Sequence, residues 1–237
     1  MMRIILTAVT FAFFTFSLWP PGERNMLFFQ KEGLPDGWKD LLQMDSSLIL
    51  DIKYASDENF TGEKLYDCAR CLLRTEVAEA LLAVNKEVEK RGLRLKVFDC
   101  YRPRHIQERM WQIIPDARYV APPSQGSMHN RGLAVDLTLV DAASGEELDM
   151  GSAYDSFEKE SHHSYKNLPQ AVLLNREYLK TEMVRYGFTS IQSEWWHYSY
   201  QSLSSPLYDF NWSCPGSSKA TLEGHGRQQN RLPSVTY

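Results

Sequence analysis

The stretch Thr75–Asp99 reads TEVAEALLAVNKEVEKRGLRLKVFD. In its first part Val77, Leu81, Val84 and Val88 recur at spacings of four, three and four, the period of a helix that buries one face. Thr75 is suited to cap that helix, and Lys90-Arg91-Gly92 closes it with basic residues and a glycine. Leu93, Leu95 and Val97 then alternate with Arg94, Lys96 and Phe98, which predicts a strand leading into Asp99-Cys100-Tyr101-Arg102. Outward from this pair the order is irregular. Pro103 opens a second helix through Ile106, Met110, Trp111 and Ile114; Val135 to Val140 reads as a strand, and Leu168 to Tyr186 as a long helix ended by Gly187. A last strand is expected over Phe188 to Ile191 and Trp195 to Tyr200. Strands and helices do not alternate regularly, so the predicted class is α+β, a small, mostly antiparallel sheet with flanking helices, starting near Asp45.

The chain has 237 residues, with 26 Lys and Arg against 30 Asp and Glu, a net charge of −4. Hydrophobic residues make up 43% and charged residues 24%, the proportions of a folded globular chain. The 13 glycines and 11 prolines show no repeat period, which excludes collagen-like and low-complexity classes. No run of Lys and Arg supplies the clustered positive charge that phosphate backbones attract, so nucleic acid is not an expected partner.

After Met1-Met2-Arg3 an uncharged, mostly apolar run extends from Ile4 to Trp19 and ends at Pro20-Pro21-Gly22-Glu23-Arg24. One positive charge before such a run is the layout of a secretory signal, and the run is short for a spanning helix, which needs about 20 residues. Thr15-Phe16-Ser17 is the small-x-small cleavage candidate, and no cysteine precedes Cys68 to carry a lipid. Residues 1–22 are read as a signal peptide or membrane anchor, 23–214 as the folded domain, and 215–237, rich in Ser, Gly and Gln, as a disordered tail. The expected location is therefore exported and periplasmic, with the N-terminal segment as the one membrane contact. In an oxidising compartment Cys68, Cys71, Cys100 and Cys214 can form two disulfides, in any of the three pairings that four cysteines allow. Cys68-x-x-Cys71 also has the spacing of half a zinc site or a redox pair, but neither a second such pair nor a nearby His pair accompanies it, so the structural role is preferred.

Three stretches concentrate metal and acid–base chemistry: Ser127-Met128-His129-Asn130-Arg131-Gly132-Leu133-Ala134-Val135-Asp136, Glu194-Trp195-Trp196-His197, and Tyr101-Arg102-Pro103 at a strand end. Two imidazoles and one carboxylate make a three-ligand zinc set that leaves a position open for water. Zinc brings the pKa of that water toward about 7, a nearby carboxylate can take its proton, and a guanidinium can stabilise the oxyanion that develops on a carbonyl. Singly, each residue is more often structural; the Trp-Trp pair on its own reads as core.

Together, His129-x6-Asp136 and Glu194-x-x-His197 resemble the signature of the zinc D-alanyl-D-alanine dipeptidases of the VanX type. The resemblance runs in order from about Asp51 to Trp212 and includes Lys53-Tyr54-Ala55, Asn59-Phe60-Thr61-Gly62, Asp99 to Pro103, Asp136-Leu137-Thr138-Leu139, Met150-Gly151-Ser152, Asp155, Ser161-His162-His163, Asn175-Arg176 and Glu194 to Tyr198. It implies one zinc ion per chain, held at the sheet by His129, Asp136 and His197, with Glu194 as general base and Arg102 facing the tetrahedral intermediate. It also implies that Ser127, Tyr54 and Asp155 hold a small dipeptide, Asp155 taking its free ammonium; such a carboxylate rewards a free N-terminus and so selects dipeptides. The implied reaction is hydrolysis of D-Ala-D-Ala to two D-alanines, in wall-peptide turnover or salvage.

This chain departs from the family pattern at Met128 and Asn130 beside the first ligand, at Tyr154 before Asp155, and at Tyr208-Asp209-Phe210-Asn211 near the C-terminus. These changes bear on the pocket and leave the ligand spacing intact. Two other readings remain open: a zinc D,D-carboxypeptidase or endopeptidase acting on longer wall peptides, and a non-catalytic wall-binding module. Residues three apart on a strand face opposite ways, so the backbone must bend between Glu194 and His197 if both serve one ion. His162 and His163 are read as supporting or helix-start residues, while His105 and His225 carry no pattern. Asn59-Phe60-Thr61 and Asn211-Trp212-Ser213 match the glycosylation sequon, which matters only in a eukaryotic secretory pathway.

Overall fold

The helix and strand predicted from residues 75–99 form the spine on which the remaining elements gather. The structure, a computed structural model, describes residues 33–214; the expected signal segment 1–22 and tail 215–237 lie outside the described residues. In chain order the elements are β1 (Trp38–Asp40), α1 (Leu41–Met44), β2 (Ile49–Leu50), β3 (Leu72–Arg74), α2 (Thr75–Glu89), β4 (Leu93–Asp99), α3 (Arg104–Ile113), β5 (Ala134–Asp141), α4 (Gln170–Arg185), β6 (Phe188–Ser190) and β7 (His197–Tyr200). The main sheet has the order β2-β4-β5-β7-β6, and β1 and β3 form a separate antiparallel pair. In the main sheet β2 runs parallel to β4, and every other pairing is antiparallel. The α+β expectation therefore holds. The ordered fold starts before Asp45, at β1 and α1.

Two local expectations are corrected. Thr75 is the first residue of α2 and Arg74 occupies the cap position, without a side-chain cap bond. The last strand is two strands, β6 and β7, paired so that Phe188 faces Tyr200 and Ser190 faces Tyr198. Trp195 and Trp196 lie in the bent connection between them.

Alternation explains how β5 serves two purposes. Val135, Leu137 and Leu139 pack into the main core with Val77, Leu81, Val84 and Val88 of α2 and Leu179 and Met183 of α4. Each such side chain, fully buried, contributes about 1.5–3 kcal/mol over exposure. Asp136 and Thr138, between them in sequence, face the other way. On β4 the register shifts between Val97 and Asp99: Val97 faces Leu137, and Asp99 faces Asp136. The inserted residue swings Asp99, which parity would place with Val97, onto the face of Asp136.

The turn before β5 is fixed by packing. Gly132 has φ 67°, and a Cβ there would meet the Trp38 ring at 2.4 Å. Only glycine suits both the left-handed backbone and the close approach. Trp38, Leu72 and Tyr101 form a second buried cluster joined by Tyr208 and Phe210 of the C-terminal strap. Disulfides link Cys68 to Cys214 and Cys71 to Cys100, which selects one of the three possible pairings. Among the described residues no helix is long and apolar enough to cross a membrane.

Candidate active site

Asp99, Asp136 and His197 lie in register on three adjacent strands, so one face of the sheet carries a row of polar side chains. His129 reaches the same place from a single helical turn, His129–Arg131, just before β5. His129 Nε2 lies 3.1 Å from His197 Nδ1 and 3.3 Å from Asp136 Oδ1, and His197 Nδ1 lies 2.9 Å from the same oxygen. Tetrahedral zinc with bonds of about 2.0–2.1 Å needs its ligand atoms about 3.3 Å apart. The buried triangle His129, Asp136 and His197 fits that ion in size, burial and donor type.

The second nitrogen of each imidazole is occupied as a ligand histidine requires. His129 Nδ1 lies 2.7 Å from the carbonyl oxygen of Cys100. A carbonyl only accepts, so Nδ1 carries the proton and the Nε2 lone pair faces the triangle. His197 Nε2 bonds Ser199 Oγ at 2.9 Å, which leaves its Nδ1 for the same centre. The second oxygen of Asp136 accepts from the Tyr154 hydroxyl at 3.1 Å. Burial alone would raise the Asp136 carboxyl, yet His129 and His197 outweigh it and hold the group well below the usual carboxylate range.

Arg102 is clamped beside this triangle. Its Nε and Nη2 donate to Asp99 Oδ2 at 3.0 and 2.7 Å, and its Nη1 donates to Gln107 Oε1 at 3.0 Å. Tyr66 donates to the other Asp99 oxygen at 2.8 Å. The Arg102 backbone N–H donates to the His129 carbonyl, and its carbonyl accepts from Asn130 Nδ2 at 2.8 Å. The cation is thus oriented and paired, with part of its five-donor fork left for a ligand.

Glu194 sits in the connection before β7, where the backbone bends as the spacing to His197 demands. Its Oε2 lies 3.9 Å from His197 Nδ1. Burial, with the charge of Asp136 adding to it, raises the Glu194 carboxyl above its ordinary value. On the opposite wall Tyr54 donates to Asp155 Oδ2 at 2.8 Å, and the Tyr154 hydroxyl stands 3.3 Å from that of Tyr54. The Arg102 guanidinium lies over the Tyr54 ring at 5.1 Å. Asp155 has φ 56° and is the one non-glycine with positive φ among the described residues, a conformation that costs about 1–2 kcal/mol and that its bond to Tyr54 helps to hold. Desolvation and the charge of Asp136 push the Asp155 carboxyl well above its ordinary value. Ser127 Oγ accepts from the His129 N–H at 3.2 Å.

Tyr54, Arg102, Ser127, His129, Asp136, Asp155, Glu194 and His197, the eight residues singled out in the sequence, all line one cavity of about 400 Å³. His162 lines a neighbouring cavity that shares Ser193 and Glu194 with it. His163 is pushed down to about 4 by burial and lies away from the triangle, its ring 6.5 Å from that of Tyr198. His105 pairs with Asp209 at 2.6 Å.

Sequence reasoning missed Asp99 as the anchor of Arg102, Gln107 as its second partner, and Tyr154 as the hydroxyl joining both walls. For Tyr154 a signal existed: it is one of the positions where this chain departs from the pattern it otherwise resembles. For Asp99 nothing local marks the strand bulge that turns it inward.

Residues 36–214 match the family described as D-ala-D-ala dipeptidase, Peptidase_M15. A D-alanyl-D-alanine dipeptidase of Escherichia coli (strain K12) is 40% identical over 176 residues, covering 74% of this chain and 91% of that one. A D-alanyl-D-alanine dipeptidase of Streptomyces coelicolor is 30% identical over 190 residues, covering 71% of this chain and 94% of that one. Another, of Enterococcus faecium, is 32% identical over 171 residues, covering 62% and 83%.

Proposed function

We infer that this chain, which belongs to the D-ala-D-ala dipeptidase family, is a zinc metallopeptidase that hydrolyses D-Ala-D-Ala to two D-alanines. The observation that carries this reading is the convergence of an ion-sized triangle, a raised carboxyl and a paired guanidinium in one cleft, facing a carboxyl placed for an ammonium. His129, Asp136 and His197 would hold the zinc ion, which when bound acidifies water and polarises a carbonyl.

The chain's own groups divide the remaining work. Asp155, steadied by Tyr54, pairs the dipeptide's ammonium and fixes the distance from that end to the scissile bond. A carboxyl raised by desolvation gains most from a cation brought beside it, because the ammonium supplies the countercharge the empty pocket lacks. Glu194 takes the proton of the attacking water at its carboxylate and returns it to the departing amine. Burial raises that carboxyl above its ordinary value, which strengthens it as the base that takes the water's proton. Arg102, held by Asp99 and Gln107, presents positive charge to the oxygen of the tetrahedral intermediate without reorganising. Ser127, with its hydroxyl at the His129 turn, lines the same cleft and is assigned to substrate.

Residues 1–22 act as an export signal in this reading, and the enzyme works outside the cytoplasm on wall-derived dipeptide. The uncharged run from Ile4 to Trp19 and the oxidised state of all four cysteines support it. The mass of the mature N-terminus in a periplasmic fraction tests it.

Free D-alanine release from D-Ala-D-Ala, from its N-acetylated copy and from a wall pentapeptide tests the reaction, with Glu194→Gln run beside the zinc-loaded parent. The expected outcome is cleavage of the free dipeptide alone and a fall of about 10²–10⁴ in the variant. Cleavage of the blocked or longer peptides would favour the D,D-carboxypeptidase reading.

A further inference from the structure

The carbonyl that orients His129 belongs to Cys100, and Cys100 is tied to Cys71 by a disulfide. Both cysteines are fully buried. Around this bridge the backbone is pinned on each side: Tyr101 N–H donates to the Leu72 carbonyl, Leu41 N–H to the Cys71 carbonyl, and Arg102 N–H to the His129 carbonyl. The strand end bearing Asp99 and Arg102 and the turn bearing His129 therefore meet at Cys100. We propose that the Cys71–Cys100 bridge is a positioning device for the metal site: by fixing the Cys100 carbonyl it fixes the His129 ring, so the chain holds zinc tightly only when the bridge is closed.

The second bridge offers an internal contrast. Cys68–Cys214 closes a separation of 146 residues and secures the C-terminal strap, and the Cys68 carbonyl accepts from the Trp212 indole. Its carbonyl meets a strap tryptophan and not a metal ligand. Cys71–Cys100 spans only 29 residues and touches a ligand through one hydrogen bond. In the entropic picture the longer loop gives the larger stabilisation, while metal affinity follows the outer hydrogen bond of the ligand. The two bridges thus separate stability from metal binding.

Closing the bridge joins the Cys71 and Cys100 sulfurs. The two thiols give up two protons and two electrons to the disulfide of an exchange oxidant, whose own S–S bond breaks and which leaves as a dithiol. In a reducing compartment the thiols stay open and the chain binds zinc weakly; in an oxidising one it becomes a competent holoenzyme.

The inference rests on the metal-site reading, and its test does not depend on dipeptide cleavage. Zinc dissociation constants are measured by chelator competition, and melting temperatures by calorimetry, on the parent, on Cys71→Ala/Cys100→Ala and on Cys68→Ala/Cys214→Ala. The expected result is a zinc constant about 10–100-fold weaker in the first variant, the range for loss of a ligand's outer partner, and within about threefold of the parent in the second, which melts lower. If the first variant does not melt cooperatively, Cys71→Val/Cys100→Ala, which refills part of the lost volume, takes its place. Zinc binding within about threefold of the parent in a folded Cys71/Cys100 variant overturns the proposal, as do equal zinc losses in both double variants.

Discussion

Asp136 and Asp155 belong to one cleft and are joined through the Tyr54 and Tyr154 hydroxyls, yet they titrate in opposite directions. Asp136 is the more deeply buried, 3% exposed, while Asp155 is half-buried over the whole residue. Burial alone would give Asp136 the higher pKa. The reverse holds because Asp136 stands between two imidazoles, whereas Asp155 has a phenol for its nearest partner and Asp136 for a like-charged neighbour. In this cleft neighbours, more than depth, decide which carboxyl is held below its ordinary range and which is pushed above it.

The strongest way to break that contrast is to remove the side of it that faces the ion. Asp136→Asn keeps the shape and deletes the charge between His129 and His197; zinc affinity by chelator competition is expected to fall more than about 100-fold, beyond the range for an outer-partner loss. Asp155→Asn should leave zinc affinity within about threefold. Its kcat/KM for the free dipeptide should fall by about 10²–10³, the scale of a buried charge pair losing one partner. Equal loss of zinc in both variants would erase the distinction.

A pH profile sharpens the contrast further. Asp155 and Glu194 are both raised, so each is protonated and inactive below its folded pKa and gains function as pH rises through it. The acid limb of log kcat/KM in the parent should therefore approach a slope of about two, and Asp155→Asn should reduce it to about one. The smallest effect belongs to Tyr154→Phe, which cuts the hydroxyl that touches both walls. One hydrogen bond, about 1 kcal/mol, predicts a change of about fivefold, shared between zinc affinity and KM.

Where residues recur at a period, the fold is legible in the sequence. Val77 to Val88 announced α2, and the apolar run from Val135 announced β5, because each buries a long, regular face. Trp38–Asp40 and Leu72–Arg74 are three residues each, too short for any period to show. In the site, His129, Asp136, Glu194 and His197 were singled out by a resemblance to a family signature, since each alone is more often structural, and the fold brings the four to one cavity. Asp99 and Gln107 act through Arg102, and their parts follow from a strand bulge and from the first helical turn after Pro103, which no local pattern encodes. The disulfide pairing was likewise open, since which cysteines meet depends on how β3 and the C-terminal strap come home.

The main sheet ends at β2, with two residues, on one side and at β6, with three, on the other. An edge that short leaves almost no run of open N–H and C=O groups for a stranger's backbone to zip onto. Within the described residues, the two ends of this sheet are therefore poor templates for strand addition from another copy.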